Sequence, residues 1–149
     1  AGRKWTVRAL DGASANVLAE AIGLSTTVRS QVAELDRLDV IVYLRVHRLP
    51  RCRTGQLRLV GTGGTTRVLL IEVSRSLARD DEIAWLGHEL QHALEIAKSA
   101  VSDRASLDAL YRRIGRPSCS RALAFETEAA IEAGRMVRSE VQRARAAAR

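Results

Sequence analysis

Aromatic residues and cysteines are scarce in this chain. Only 3% of its 149 residues are aromatic, and it has two cysteines, Cys52 and Cys119. An aliphatic core is therefore expected, and base stacking on aromatic side chains has little material. The cysteines lie far apart and form no CxxC pair, so they do not indicate a structural zinc site. A disulfide between them fits an exported protein and two buried thiols fit a cytosolic one. We favour the disulfide and, with it, export to the periplasm or medium.

Lysine is almost absent although the chain is basic. Of the 24 basic residues only Lys4 and Lys98 are lysines, and the net charge is +7. A basic chain raises nucleic acid as a partner. Here the arginines are scattered and alanine is abundant, a pattern typical of a GC-rich bacterial genome. We expect weak attraction to anionic surfaces but no specific nucleic-acid partner.

Long hydrophobic runs are also missing. No stretch of 18 apolar residues occurs, so no membrane-spanning helix is expected. No signal peptide is present, and the start at Ala1 without methionine is compatible with removal of an upstream export signal. The length suits one domain covering residues 1–149.

The first half of the chain predicts a helix followed by strands. A helical apolar pattern covers residues 13–38, with a break at Gly23 and a fresh N-cap at Ser25. β-branched segments then predict strands at 40–46, 56–60 and 67–73, and the glycine-rich residues 61–65 read as a turn.

The second half predicts helices only. One runs from a cap at Asp80 or Asp81 to about Ala97, and a shorter one runs from Asp103 to about Gly115. A final helix is expected from Ser118 or Ser120 to about Arg145. Helix, strands, then helices is the order of an α+β domain with a small antiparallel or mixed sheet.

The segment His88-Glu89-Leu90-Gln91-His92 carries the clearest chemical signal. Residues i and i+4 share one face of a helix, so both imidazoles can reach one metal ion. The glutamate beside the first ligand can contact a metal-bound water without binding the metal. His88 and His92 are therefore candidate zinc ligands and Glu89 a candidate general base.

Helix geometry gives an independent test of this motif. The apolar residues cluster on the side opposite the two histidines: Ile83, Leu86, Leu90, Ala93, Leu94 and Ala97. Histidines that merely filled the core would lie inside that stripe. A chance HExxH on a solvated helix is the alternative, and the stripe geometry argues for the metal site.

A third ligand is needed, since catalytic zinc usually takes three protein ligands and a water. No histidine follows His92, so the ligand is a carboxylate or, as the weaker option, a cysteine. Glu126 falls within an apolar stripe of the expected last helix: Ala122, Phe125, Ala129, Ala130, Ala133, Met136 and Val137. Glu128 falls among charged residues. A carboxylate in an apolar stripe is costly without compensation, which a zinc ion would supply. We therefore assign Glu126.

This arrangement resembles the gluzincins, zinc metallopeptidases with HExxH on one helix and a glutamate ligand on a later one. Glu126-x-x-Ala129 resembles the E-x-x-A signature of several bacterial gluzincin families, and residues 87–95 are similar to small uncharacterised bacterial proteins of this type. The resemblance covers about residues 66–141 and implies a zincin-like fold. Many gluzincins carry Asp four residues after the ligand glutamate, where this chain has Ala130. The partner of a ligand histidine must then come from elsewhere.

Other polar and aromatic residues leave two readings open. Glu95 is either an acceptor for an imidazole N–H or an exposed charge. Trp85 either walls the cleft or packs in the core. Tyr43 and Tyr111 can donate to an oxyanion, although most tyrosines simply pack. His47 is read as a surface histidine.

The leading hypothesis is a zinc-dependent hydrolase that cleaves peptides or proteins. His88, His92 and Glu126 would hold Zn²⁺, and Glu89 would take a proton from the zinc-activated water. The strand at 67–73 would border the cleft and pair with an extended substrate. The alternatives are a non-catalytic module stapled by metal and a basic nucleic-acid-binding protein with an accidental motif.

Overall fold

The computed structural model describes residues 5–50, 53–117 and 125–149. These residues form a four-stranded mixed sheet, a two-stranded ladder and five helices, which confirms the α+β class. No helix in the described ranges is both long and apolar enough to cross a bilayer. Cys52, Cys119 and both candidate caps, Ser118 and Ser120, lie outside the described residues, as does the predicted disulfide.

The main sheet is mixed, with the strand order β1-β2-β4-β3. Its strands are β1 (Val7–Ala9), β2 (Val40–His47), β3 (Gly55–Gly63) and β4 (Thr66–Ser74). β1 and β4 run parallel to β2, whereas β3 is antiparallel to β4. β1 was not predicted, because three residues carry too little periodicity.

Strand alternation places one face of the sheet in the core. In β2, Val42, Leu44 and Val46 are buried while Tyr43 is half-buried and Arg45 is exposed. This is the period of two expected when one face packs against other elements. The β3–β4 hairpin closes at Gly64, whose φ of +63° is the left-handed conformation that favours glycine. β3 is therefore longer than predicted, and the turn is shorter.

Two helices connect β1 to β2. α1 (Gly12–Leu24) begins after Asp11, and α2 (Thr26–Leu35) begins after Ser25. The Ser25 hydroxyl accepts from the Val28 N–H at 3.1 Å, so the predicted break and N-cap are confirmed. The crossover lets β1 and β2 pair in parallel.

α3 (Arg79–Ala97) lies at the centre of the molecule, in contact with β3 and β4 on one side and with a later helix on another. All six residues of its predicted apolar stripe are buried. The predicted Asp80 or Asp81 cap is wrong: the N-cap is Ala78, which makes no side-chain capping bond. Asp80, Asp81 and Glu82 instead lie in the first turn, where negative charge complements the helix dipole.

The chain after α3 departs most from the sequence prediction. α4 (Arg104–Ile114) begins with the expected capping residue, Asp103. A short ladder follows, in which β5 (Arg116–Pro117) pairs antiparallel with β6 (Phe125–Glu126). The last helix, α5 (Glu128–Ala147), begins only after Thr127. The expectation that Phe125 and Glu126 are helical is therefore wrong.

The buried face of α5 also differs from the predicted stripe. It consists of Ala130, Ala133, Val137 and Val141. Ala129 and Met136, which were assigned to the stripe, are exposed. Ala122 lies outside the described residues. The prediction started the helix several residues too early, and it assigned exposed residues of α5 to the buried face.

Candidate metal centre

Helix α3 presents His88 and His92 on one face, one turn apart. Each is only 5% exposed, and their ring centroids are 4.9 Å apart in an edge-to-face arrangement. Trp85 lies beside His88 with a centroid distance of 4.6 Å and is half-buried. Trp85 thus walls the site and also packs against the hydrophobic core, so both of its sequence readings apply.

Glu126 joins the two histidines. One ligand atom from each of these three residues can be chosen so that all lie within 4.8 Å of one another. The pairing of β6 with β5 and the start of α5 carry the glutamate to α3. Glu126 was selected from helical phase, but it reaches the histidines from a short strand. Glu126, and not exposed Glu128, is the glutamate that lies beside the two histidines, but helical phase is not the reason.

The atoms of this group fit a metal ion. His88 Nε2 lies 2.9 Å from Glu126 Oε2, yet within the described structure this buried nitrogen has no hydrogen-bond partner of acceptable geometry. A nitrogen left without a hydrogen bond is usually costly when buried. Two imidazoles and one carboxylate are the donor set of His₂Glu catalytic zinc sites. The residues present therefore fit a divalent metal such as zinc.

His92 is held by Glu95, from one turn further along α3. His92 Nδ1 lies 2.9 Å from Glu95 Oε2. Since an ionised carboxylate can only accept, Nδ1 carries the proton and Nε2 is left available for a metal. Burial disfavours the charged imidazole, but the bond to Glu95 and the nearby carboxylates outweigh it and raise the pKa of His92. Glu95 is thus the acceptor for an imidazole N–H that its position in the sequence left undecided.

Tyr111, on α4, closes the other side of His92. The two ring centroids are 5.4 Å apart, and the tyrosine hydroxyl lies 3.3 Å from His92 Nδ1 and 3.4 Å from Glu95 Oε2. Burial, followed by the negative charge of Glu95, raises the pKa of Tyr111, so its hydroxyl stays protonated. The Tyr111 hydroxyl thus lies beside His92 Nδ1, the nitrogen that is bonded to Glu95.

Glu89 is buried between α3 and β3. It is 3% exposed, and Gly55 lies so close that a Cβ there would be 2.8 Å from Glu89 Oε1. Burial raises the pKa of the Glu89 carboxyl, while electrostatic interactions with His92 and His88 oppose that shift. A bound cation would favour the ionised form further. The glycine at position 55 was not singled out from the sequence, because only tertiary structure brings β3 to α3.

Small residues allow α3 and α5 to approach closely at the site. A Cβ on Gly87 would lie 2.5 Å from Val137 Cγ2, and one on Gly134 would lie 3.5 Å from His88 Cβ. The Gly87 carbonyl also accepts from Gln31 Nε2 at 2.8 Å, which ties α2 to α3. The two glycines therefore set the distance between the HExxH helix and α5.

The three candidate ligands and Glu89 line one cleft of about 870 Å³. Its walls are β3, α3, α4 and α5, with Glu126 at one side. β3 is an edge strand of the main sheet. The cleft is large enough to hold part of a peptide beside the candidate ligands.

Several singled-out residues lie elsewhere. His47, at the end of β2, contacts buried Glu72, which also accepts from Gln56 Nε2 at 2.8 Å and from Arg58 Nε at 2.9 Å. This cluster joins β2, β3 and β4; Gln56 and Arg58 also line the cleft, whereas His47 and Glu72 do not. Tyr43 lies on β2 and does not line the cleft.

Comparison with known proteins gives no further guide to identity. No family model matches the chain, and no curated protein or solved structure matches it significantly. The geometry of the site therefore carries the functional argument.

Proposed function

We propose that this protein is a zinc-dependent hydrolase of zincin-like fold, and most specifically a metallopeptidase. The observation that carries the proposal is the meeting of His88, His92 and Glu126 on the wall of a cleft that also contains Glu89. An open cleft beside three protein ligands is typical of catalytic rather than structural zinc sites, because the fourth position stays accessible.

The residues divide the chemical work as follows. His88, His92 and Glu126 would hold the ion, which when bound polarises a carbonyl and makes water a better nucleophile. The Glu89 carboxylate accepts the proton of the attacking water and then delivers it to the leaving nitrogen. Glu89 is part of α3, and Gly55 on β3 packs against its carboxylate and restricts where it can lie. Glu95 keeps His92 in the tautomer that can bind metal.

The substrate would enter along β3. The sequence pointed to the strand at 67–73, but that interpretation is wrong: β4 is paired with β2 on one side and with β3 on the other. β3 is the outer neighbour of β4 and lines the cleft. An extended peptide can add to such an edge by backbone hydrogen bonds. This supports a peptide or protein substrate.

The decisive experiment compares the parent protein with Glu89→Gln. The amide keeps the size of the side chain but cannot act as a base. We expect both proteins to bind about one zinc per chain, and we expect the variant to lose hydrolysis of a peptide library by roughly 10²-fold or more. Mass spectrometry of the digests and metal analysis are the measurements.

The outcomes separate the candidate functions. A parent protein that binds no zinc would overturn the metal site and leave the HExxH as a chance motif. Zinc binding without turnover would favour a non-catalytic module stapled by metal. Equal cleavage by parent and variant would remove Glu89 from the mechanism.

A further inference from the structure

Thr127 uses both hydrogen-bonding functions of its hydroxyl group. As the N-cap of α5, the Oγ1 atom accepts from the Ala130 N–H at 3.1 Å. The same hydroxyl donates to Glu95 Oε1 at 2.6 Å. Thr127 is only 5% exposed, so water does not readily replace either bond. The residue thus ties the first turn of α5 to α3.

Glu95 receives this bond on one oxygen and the His92 bond on the other. Its Oε2 accepts from His92 Nδ1 and its Oε1 accepts from Thr127. Burial opposes ionisation of Glu95, but these hydrogen bonds outweigh it and lower its pKa. A continuous chain of contacts therefore runs from one candidate ligand, His92, through Glu95 to the residue that follows another candidate ligand, Glu126.

The backbone at Glu126 explains why such a link matters. Glu126 belongs to a strand of two residues and precedes α5, so it lies outside the hydrogen-bond ladder of the helix. Its neighbour Thr127 is fixed to α3 through a side chain, whereas His88 and His92 are fixed by α3 itself. Placement of Glu126 relative to the histidines then depends on how α5 begins.

We propose that Thr127 is a positioning residue for the metal centre: its bond to Glu95 sets Glu126 against His88 and His92 while Glu95 orients His92. Through this bond, the position of Glu126 depends on the position of Glu95 on α3. The inference rests on the proposed metal site, and Thr127 itself touches neither metal nor substrate. Loss of a hydrogen-bonding partner behind metal ligands typically weakens metal affinity by about 10–100-fold.

The test measures zinc dissociation constants by competition with a chelator, at a temperature where every variant is folded. Thr127→Val removes both bonds at nearly constant volume, and Thr127→Ser keeps the hydroxyl. We expect Thr127→Val to weaken zinc binding by about 10–100-fold and Thr127→Ser to stay within about threefold of the parent. Asp11→Ala is the matched control, because Asp11 caps α1 through the Ser14 N–H at 2.8 Å and lies outside the cleft. It should lower the melting temperature without changing zinc affinity.

A second variant tests the link itself. Glu95→Gln has one acceptor oxygen and cannot accept from both His92 and Thr127. If the two residues act through one bond, the double variant Thr127→Val/Glu95→Gln should bind zinc about as weakly as the weaker single variant, because effects in one network do not add.

Three results would overturn the inference. Thr127→Val binding zinc as tightly as the parent is the first. The second is Asp11→Ala weakening zinc binding as much as Thr127→Val, which would mean that general loss of helix stability explains the effect. The third is full additivity in the double variant. Absence of zinc from the parent protein is a different result, since it would reject the proposed metal site itself.

Discussion

Two glutamates separated by a single residue lie in different surroundings at the start of α5. Glu126 is half-buried and faces the histidines, whereas Glu128 is exposed as the first residue of the helix. Both are acidic, so net charge cannot distinguish their roles. Position alone decides which of them can serve as a ligand.

We therefore expect Glu126→Ala and Glu128→Ala to differ. Loss of Glu126 leaves two histidines, which hold zinc poorly, and because only the folded state offers the site, the melting temperature in zinc should also fall. Glu128→Ala should keep zinc and change stability by no more than about 0.5 kcal/mol, as for an exposed charge. Metal analysis and thermal unfolding with and without zinc check this. If Glu128→Ala were the variant that loses zinc, the assignment of Glu126 would be wrong.

Gly55 controls the position of Glu89. An alanine there would put its Cβ 2.8 Å from Glu89 Oε1, closer than Cβ atoms approach other atoms, and 3.1 Å from its Cγ, which is a tight contact. Since the carboxylate would have to move, we expect Gly55→Ala to lower kcat by roughly tenfold or more while zinc content stays unchanged. Gly61→Ala, on the same strand with nothing within 4 Å of the added Cβ, is the control. Equal loss of activity in both variants would point to the strand rather than to Glu89.

At the scale of elements, the packing of α3 against α5 holds the site together. The helices meet where Gly87 faces Val137, and both positions are buried. No side chain larger than hydrogen fits at position 87 unless the Val137 side chain shifts. The same contact keeps Gly134 beside His88.

Gly87→Ala should lower the free energy of unfolding by about 1–3 kcal/mol, the usual cost of overpacking a core. Trimming the neighbour in Gly87→Ala/Val137→Ala should recover part of that loss. Urea unfolding measures both values. Gly23→Ala in α1, which meets nothing within 4 Å, serves as the control and should be neutral or stabilising by up to about 1 kcal/mol. A Gly87→Ala protein as stable as the parent would contradict the close approach.

At the scale of the whole molecule, the walls of the cleft are basic, whereas acidic Glu89 and Glu126 lie beside the candidate histidine ligands. Five arginines line the cleft, and apart from Glu89 and Glu126 the only acidic residue among the described lining is Asp108. The arginines come from three sides of the cleft: Arg53, Arg58, Arg104, Arg135 and Arg138. Arg104 and Arg135 have no ion-pair partner among the described residues, and both are exposed. Such walls favour substrates with negative charge.

We expect peptides with Asp or Glu near the scissile bond to be cleaved faster than matched peptides with Lys. The double variant Arg104→Glu/Arg135→Glu should reverse that order, and raising salt from 50 to roughly 500 mM should weaken it, because exposed charges are screened. Arg37→Glu, an exposed site outside the cleft, carries a similar kind of change and should leave the order intact. Equal kcat/KM for both peptide sets would reject the charge preference while leaving the metallopeptidase proposal standing.

Local patterns in the sequence determined much of this protein. The pairing of His88 with His92 follows from four-residue spacing on a helix, and the caps at Ser25 and Asp103 act on backbone N–H groups within three residues. The strand at 40–46 was equally readable, because β-branched residues favour an extended backbone, and β2 covers that segment. Such features depend on neighbours in the chain, so they are visible in one sequence.

Tertiary structure alone decided how the rest of the site is assembled. The pairing of β6 with β5, the bond from Thr127 to Glu95 and the approach of Gly55 to Glu89 join residues that are 8 to 34 positions apart. The alanine-rich segment around Glu126 has strong helix propensity, yet α5 begins only after its N-cap Thr127. Glu126 instead pairs with β5 in the two-stranded ladder. Short strands and close contacts gain their stability from distant partners, and local propensity carries no record of those partners.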